Sequence, residues 1–316
     1  MAEQEAVAEG GVEKMSTLIG MIPSILMIVS PILITAIGGM ICEKSGVVNI
    51  ALEGLMGIGA CAAASAHVLM EAAGVGMPSI WLSLGIGALI GATFSAIHAV
   101  AAINLNADQT ISGTGINLLA DGVTIFAAQI LFRADRTREF RMGMQTDALG
   151  IYPTAYIALA VVAIAWFVLY KLPFGMHLRA CGEHPHAADS VGINVKKIRY
   201  IAVLSSGLLA GLAGGCIVLT QTIQYTSNTI NGRGFIALAA VSFGRWRPAG
   251  VAFAAFLFGT AQAFAIIANN FPALRVLPTE VFNILPYVVT LVALVMFSGK
   301  NYAPRANGKP YIKGAS

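Results

Sequence analysis

The chain has 316 residues, of which 57% are hydrophobic and only 11% are charged. A typical soluble domain carries roughly a quarter of charged residues, so this composition, with a mean hydropathy of +0.77, excludes a water-soluble globule. It predicts an all-α integral membrane protein. The net charge of +4 says little as a total, because the position of each basic residue carries the information in a membrane protein.

The N-terminal residues 1–16 are polar and acidic, with four glutamates against one lysine. A secretory signal peptide needs a basic start followed by a short apolar stretch, and this segment has neither. We therefore expect residues 1–16 to be a retained acidic tail.

Eight later stretches are apolar enough to form transmembrane helices, each of which needs about 20 residues. A further stretch, Gly232–Phe243, is too short to cross alone as a regular helix. It is either a tilted span extended by its flanks or a re-entrant segment, and counting it predicts a bundle of about nine transmembrane helices. The eight longer stretches are Leu18–Ile41, Val47–Leu69, Ile80–Ile103, Ile111–Phe132, Tyr152–Tyr170, Ile198–Thr220, Ala249–Ala268 and Val281–Phe297.

The orientation follows from the basic loop between Lys171 and Arg199, which we place in the cytoplasm. Counting spans outward from it puts Arg245, Arg247 and the tail 300–316 inside and the acidic N-terminus outside. Twelve of the nineteen basic residues then lie in the cytoplasm. The exception is the segment 133–141, whose four arginines this topology places outside.

Glycines at a spacing of four indicate close helix packing in the bundle. Gly207, Gly211 and Gly215 share one face of the sixth predicted span, and Gly87 and Gly91 repeat the pattern in the third. Small residues on one face let a second helix approach closely. We interpret these glycines as packing positions rather than binding positions.

The segment CEKSGVVNIALEGLMG, residues 42–57, introduces charged and amide groups between two apolar stretches. Glu43 and Lys44 suit a tight turn beside the membrane. Asn49 and Glu53 are four apart, so we expect them to share a helix face. Polar groups at membrane depth usually face a cavity or a partner. Asn49 and Glu53 therefore either line a polar pathway or pin neighbouring helices together.

The fourth span carries a similar pair, Asn117 and Asp121, again four apart in an otherwise apolar stretch. We expect a polar stripe inside the bundle that contacts either solute or another helix. The stretch 221–231 is rich in uncharged hydrogen-bonding groups, which suits a mouth for a polar uncharged solute and equally suits a plain external loop.

Residues for catalysis or metal binding do not cluster in the sequence. The four cysteines lie far apart, and there is no HExxH motif and no phosphate-binding GxxxxGK[ST] loop. We expect neither an enzymatic activity nor a metal site, and if ATP drives this protein, another chain must bind it.

The loop between the fifth and sixth spans, FGMHLRACGEHPHAADSVGINVKKIRY, resembles the coupling segment of permeases from the branched-chain amino acid, simple sugar and nucleoside family of ABC importers. Two further segments resemble the same family, CEKSGVVNIALEGLMGIGA its nucleoside-type branch and GRGFIALAAVSFGRWRPAG its late membrane segment. The resemblance runs from about Ile34 to Phe297. The matching loop positions are Arg179, Ala180, Gly182, Ala187, Ala188, Gly192, Ile193 and Asn194.

One departure within this resemblance bears on the solute. Ribose-type permeases carry a Gly-Gly-Ile-Asp-Leu-Ser type sequence where this chain has Glu43 to Asn49. The departure favours a nucleoside over ribose as the solute.

The resemblance implies an ABC importer permease fold over residues 17–299, with a cytoplasmic coupling loop at 172–198. A short helix in that loop would sit in a groove of a partner ATPase, with Glu183, Ala187 and Asp189 at the interface. The implied partners are an ATP-binding subunit that holds ATP and Mg, a second homologous permease and an extracytoplasmic solute-binding lipoprotein. This chain would bind no cofactor and no nucleic acid, and it would be a multi-pass protein of the inner membrane.

Two other functions compete with this one. A secondary transporter would couple solute movement to H⁺ or Na⁺ through Glu53 and Asp121, since buried carboxylates suit a proton relay. The energy source of uptake distinguishes it from an ATP-driven importer. A membrane-embedded enzyme is disfavoured by the missing catalytic set.

Overall fold

The computed structural model describes residues 2–268 and 302–314 with isolated positions between 284 and 295, and within the first range it describes side chains from Gly20 to Ile266. Every regular element within those residues is a helix. Seven helical segments are long and apolar enough to cross a membrane, which confirms a polytopic helical protein. The predicted span Val281–Phe297 lies outside the continuously described residues, so the total of nine stays a prediction.

The helix starts follow local sequence signals. Proline occupies the first position of five of the helices, where its missing N–H costs nothing. Asp108 caps α4 and Asn194 caps α8 through their side-chain oxygens. A π-helical turn extends α3 to Asn104 and another extends α8 to Thr222. The helices are α1 (Ala2–Lys44), α2 (Leu52–Ala72), α3 (Pro78–Ala99), α4 (Gln109–Phe132), α5 (Pro153–Lys171), α6 (Pro173–Glu183), α7 (Pro185–Ser190), α8 (Val195–Ile217), α9 (Arg233–Phe243) and α10 (Pro248–Ala268).

The start of the second span differs from the prediction. The sequence pattern places a helix from Val47, whereas α2 begins at Leu52 and residues 45–51 are non-helical. Gly46 turns the chain with a φ of +92°, in the left-handed region that glycine favours. Asn49 and Glu53 therefore do not share a helix face, and the prediction that they do is wrong.

Helix α8 lies at the centre of the bundle and packs against α1, α2 and α3. The backbones meet at glycines: a Cβ atom on Gly91 would lie 2.8 Å from the Cα of Gly211, and one on Gly59 would lie 2.7 Å from the Gly211 carbonyl carbon. Real Cβ atoms do not come this close to backbone. The predicted close packing of glycine faces is confirmed, and Gly59 of α2 belongs to the same contact.

Helix α2 begins about halfway along α8. The side chain of Asn49, just before α2, donates to Ser206, the twelfth of the 28 residues in the α8 span Val195–Thr222. At a rise of about 1.5 Å per residue, Ser206 lies about 16 Å from the start of that span and about 24 Å from its end. Residues 45–51 thus enter the bundle as non-helical chain, and α2, with 21 residues, covers the rest of the membrane depth.

Helix α9 begins at the same depth and runs the opposite way. Its first turn is bound by Glu53 of α2, and just beyond its end Trp246 donates to Glu43 at the end of α1. The non-helical residues 223–232 lead to it from the other side, where the backbone of Tyr225 accepts from Thr137. The short predicted stretch Gly232–Phe243 thus contains an 11-residue helix with a non-helical flank, and its two predicted forms, a tilted span and a re-entrant segment, both stay predictions.

One side of the bundle, here called the tail face, consists of the end of α1, the loop 172–194, the turn 244–247 and the tail 302–314. The tail lies across the others: Ala306 N–H donates to the Gly182 carbonyl at 2.9 Å, and the buried Arg199 donates to the Lys309 carbonyl at 3.1 Å. The Tyr311 ring also contacts His186 of α7, with centroids 5.2 Å apart. These contacts tie the tail to the start of α8 and to the loop before it.

The opposite face is covered by the loop 133–152. The Glu71 carboxylate at the end of α2 accepts backbone N–H groups from Arg141 and Met142. Asp147 accepts from the Tyr156 hydroxyl at 2.6 Å and from backbone N–H groups, and these hydrogen bonds hold the pKa of this carboxyl below its usual value. The loop is therefore an ordered cover, with the four predicted outer arginines exposed on it.

Candidate functional site

The non-helical residues 45–51 need hydrogen-bond partners, because water is absent at membrane depth. Side chains of other helices supply them. Val48 N–H donates to Gln109 Oε1 at 2.7 Å, and the Val48 carbonyl lies 2.9 Å from His98 Nε2. The other ring nitrogen of His98 contacts the Ser112 hydroxyl. The non-helical segment before α2 is thus stabilised by side chains of α3 and α4.

The side-chain amides of Asn49 and Asn117 form hydrogen bonds at this same non-helical segment. Asn49 is fully buried; it donates to Ser206 and accepts from Ala51 N–H. Asn117 of α4 donates to the Ile50 carbonyl at 3.0 Å and accepts from Gly54 N–H at 2.8 Å. In this conformation both amides pin helices to the start of α2.

Glu53 lies in the first turn of α2 and caps α9. Its two carboxylate oxygens each accept a backbone N–H bond of 2.7 Å, one from Gly232 and one from Gly234. These N–H groups belong to the first turn of a helix, where no intrahelical acceptor exists, and a negative charge is favourable there. A Cβ atom on Gly234 would lie 2.6 Å from the Glu53 Cα, so glycine is required for this approach.

Asp121 lies one turn beyond Asn117 on α4, and it is exposed. Asp121 lies close enough to Glu53 for their charges to interact. Helices α4 and α9 both pack on α2, so Glu53 lies between them.

Arg233, the first residue of α9, is a site residue that the sequence analysis missed. Its side chain is buried, with 7% of the residue exposed, and its charge acts on Glu53. The signal available in the sequence was a lone arginine between two glycines at the start of a short apolar stretch. Asn49, Glu53, Asn117, Asp121 and Arg233 are called the junction site below.

The junction site combines two helix starts at mid-depth with polar groups of both charges. Discontinuous helices of this kind form solute sites in membrane transporters. The groups offer hydrogen-bond donors and acceptors, and no cluster of three metal-ligating side chains occurs in the part of the chain that the structure describes. The site can therefore bind a polar solute.

Residues 21–294 match the family described as "Branched-chain amino acid transport system / permease component". The chain belongs to this permease family. The resemblance inferred from three separate motifs is thereby confirmed, and the match covers the junction site and the loop 172–198.

Three relatives of this permease extend the comparison. The guanosine ABC transporter permease protein NupQ of Bacillus subtilis is 44% identical over 93% of this chain and 96% of the relative. The nucleoside ABC transporter permease protein NupC of Lactococcus lactis is 37% identical over 94% and 98%. A second Bacillus subtilis protein, the guanosine ABC transporter permease protein NupP, is 26% identical over 91% and 84%.

The permease loop 172–198 contains the short helix that the sequence predicts. This helix is α7, and the chain turns just after it at Gly192, whose φ is +86°. Glu183 and Ala187 are exposed, Asp189 is partly buried and Ala188 is buried. The exposed side of α7 is therefore free of contacts from the described part of the chain.

The remaining loop positions of the permease hold this segment in place. Arg179 donates to the Gly175 carbonyl within α6 and lies 5.0 Å from the centre of the Tyr170 ring. Gly182 has no room for a side chain, since Lys44 backbone lies against it. Asn194 caps α8 by accepting from Lys197 N–H at 3.0 Å.

Two large apolar side chains on this surface were not predicted. Val191 is 76% exposed and Met176 is 58% exposed. Apolar residues in a polar loop outside the membrane are a signal for a protein partner. They extend the predicted surface of Glu183 and Ala187.

Proposed function

We propose that this chain is the membrane-spanning permease subunit of an ATP-driven importer of nucleosides or related simple sugars. The observation that carries the proposal is the 44% identity to a guanosine ABC transporter permease protein over 93% of the chain. Similarity to a second nucleoside ABC transporter permease protein over 94% of the chain supports the same solute class.

The proposed partners are an ATP-binding subunit, a second homologous permease and an extracytoplasmic solute-binding lipoprotein. ATP and Mg bind the ATP-binding subunit. Bacillus subtilis has two guanosine ABC transporter permease proteins, NupQ and NupP, which differ in their identity to this chain. This supports pairing with a permease of different sequence.

The tail face is proposed to lie in the cytoplasm of a cell with the permease in its inner membrane. The tail face carries the basic loop 172–198, Arg245, Arg247 and the tail residues 302–314, and positively charged loops lie in the cytoplasm. The loop 133–152 and the acidic residues 1–16 then lie outside, where the solute-binding protein delivers its cargo.

The coupling element in this proposal is the pair α6 and α7. Glu183, Ala187 and Val191 form an exposed surface for the ATPase, and α6 and α7 connect α5 to α8. Movement of this surface acts on α8, and α8 contacts the junction site through Ser206 and Asn49. The junction site is the proposed solute pathway, which needs only weak binding so that the solute can leave.

Ion-coupled transport through Glu53 and Asp121 is the competing proposal. Both oxygens of Glu53 hold the first turn of α9 at 2.7 Å, so protonation would break one of these bonds. Asp121 alone is exposed. This geometry favours a positioning role for Glu53 over a proton relay.

The energy source of uptake tests the proposal. Cells that express the complete transporter should keep nucleoside uptake when an uncoupler removes the proton gradient and ATP is maintained, and should lose it when the ATP-binding subunit is deleted. Uptake that collapses with the uncoupler and survives the deletion would support ion coupling instead.

The variant Ala187→Glu is expected to abolish uptake and uncouple ATP hydrolysis from transport. A charge placed unpaired into an interface costs at least about 1.4 kcal/mol, which is roughly tenfold in binding. Uptake, ATPase activity and the amount of inserted protein are measured together. Thr110→Glu adds the same charge at another exposed position near this face and should transport normally. Normal uptake by Ala187→Glu would contradict the role of α7.

A further inference from the structure

Arg233 has donors that no group in the described chain uses. Its Nε and Nη1 atoms are buried and have no hydrogen-bond partner among the described residues. The residue as a whole is 93% removed from solvent. An arginine side chain stays protonated and can only donate hydrogen bonds. A buried charged donor without an acceptor is costly, so a partner from outside the described part of the chain is expected.

Both oxygens of the nearby Glu53 carboxylate are already occupied by hydrogen bonds from other groups. Each of its oxygens accepts a 2.7 Å bond from the backbone of α9, and within the described residues the only ion pairs closer than 4.0 Å are Arg136–Asp135 and Lys313–Asp189. Glu53 therefore balances the charge of Arg233 at longer range and leaves its N–H groups available.

The position of these donors limits what the missing acceptor can be. They lie at mid-depth, where α2 and α9 begin, so a lipid headgroup at the membrane surface does not reach them. The exposed carboxylate of Asp121 lies close to Glu53 and supplies an acceptor. A solute with both oxygen acceptors and hydroxyl donors can accept from Arg233 and donate to Asp121. A nucleoside is such a solute.

We propose that Arg233 is a solute-binding and specificity-determining residue of the pathway, donating hydrogen bonds to a carbonyl or hydroxyl oxygen of the solute as it passes the junction site. This inference rests on the proposed function. Glu53 acts as the positioning residue, since it fixes the start of α9 and with it the backbone of Arg233.

The test compares solutes that differ by one oxygen. The complete transporter is reconstituted in vesicles with saturating loaded solute-binding protein, and uptake is measured for guanosine, its 2′-deoxy and 3′-deoxy analogues and 2-aminopurine riboside, which lacks the base carbonyl. Wild-type protein should discriminate against the analogue that lacks the bound oxygen by roughly tenfold, the worth of a hydrogen bond to a charged group. Arg233→Met should transport guanosine and that analogue at equal, reduced rates.

Controls separate this role from a structural one. Arg199→Lys changes another buried arginine, whose Nε and Nη1 atoms donate to the Ser45 and Lys309 carbonyls and whose Nη2 atom has no partner among the described residues, and should leave discrimination unchanged because Arg199 lies at the tail face. If Arg233→Met does not assemble, Arg233→Lys, whose ammonium group lacks the planar guanidinium geometry, should shift the discrimination away from its wild-type value. Retained discrimination in the Arg233 variant, or an equal loss for every solute with less co-purified second permease, would overturn the proposal. Absence of ATP-dependent guanosine uptake by wild-type protein would instead overturn the proposed function.

Discussion

Replacement of Glu53 by alanine is expected to abolish uptake and strongly destabilise the folded protein. The change removes both acceptors from the first turn of α9 and leaves Arg233 without its nearest opposite charge. Each buried donor left unsatisfied costs about 1–3 kcal/mol, so the loss for two is about 2–6 kcal/mol. Thermal unfolding of the purified protein in detergent measures the stability, and solute uptake measures the function.

Two further variants sharpen this result. Glu53→Gln keeps one acceptor oxygen, but its amide NH₂ group then faces a backbone N–H, and two donors cannot bond to each other. The stability of this variant should therefore fall between those of wild type and Glu53→Ala. Glu139→Ala removes an exposed glutamate and should change stability by no more than about 0.5 kcal/mol. Wild-type stability of Glu53→Ala would show that Glu53 does not hold α9.

The second large effect is expected at Gly211, where α8 meets α2 and α3. A Cβ atom there would lie 3.0 Å from the Gly91 Cα and would overlap the Gly87 carbonyl oxygen. Because the obstructing atoms are backbone, the helices must separate. We expect Gly211→Val to cost about 3 kcal/mol, the upper part of the usual range for overpacking, and to lower the unfolding temperature and the yield of folded protein.

Gly115→Val is the matched control for this change. Gly115 lies in α4, and a Cβ atom added to it would have no atom of another residue within 4 Å apart from its own helical backbone and chain neighbours, so the same bulk meets no obstacle. An equal loss of stability in both variants would mean that the added side chain itself, rather than the contact of α8 with α2 and α3, determines the effect.

The sequence predicts the spans and the packing faces well for a physical reason. Each crossing needs about 20 apolar residues, and the described helices agree with this pattern within a few residues except at the starts of α1 and α2. The glycine faces of α3 and α8 and the short helix α7 are also visible locally, because spacing and small residues determine them.

The break at residues 45–51 is invisible to the same pattern. Val47, Val48 and Ile50 are as apolar as a helix requires, and the groups that stabilise the non-helical chain come from distant parts of the sequence. Gln109 and Asn117 bind this backbone across 61 and 67 positions. Hydrophobic periodicity carries no information about such partners.

The sequence predicts four of the five residues of the junction site but not how they interact. Asn49, Glu53, Asn117 and Asp121 stand out because polar groups are rare in membrane spans, but the role of Glu53 depends on a helix start 179 positions away. Arg233 is equally unusual in composition, yet only the structure gives its burial and its unused donors.

The importer function is tested by purifying this chain from its native membrane in mild detergent. The co-purifying proteins are identified, and transport is assayed in vesicles. A permease subunit of an ATP-driven importer should bring with it an ATP-binding subunit and a second permease, and the recovered complex should move a nucleoside only with ATP. Recovery of this chain alone, still moving solute in vesicles without ATP, would contradict that function.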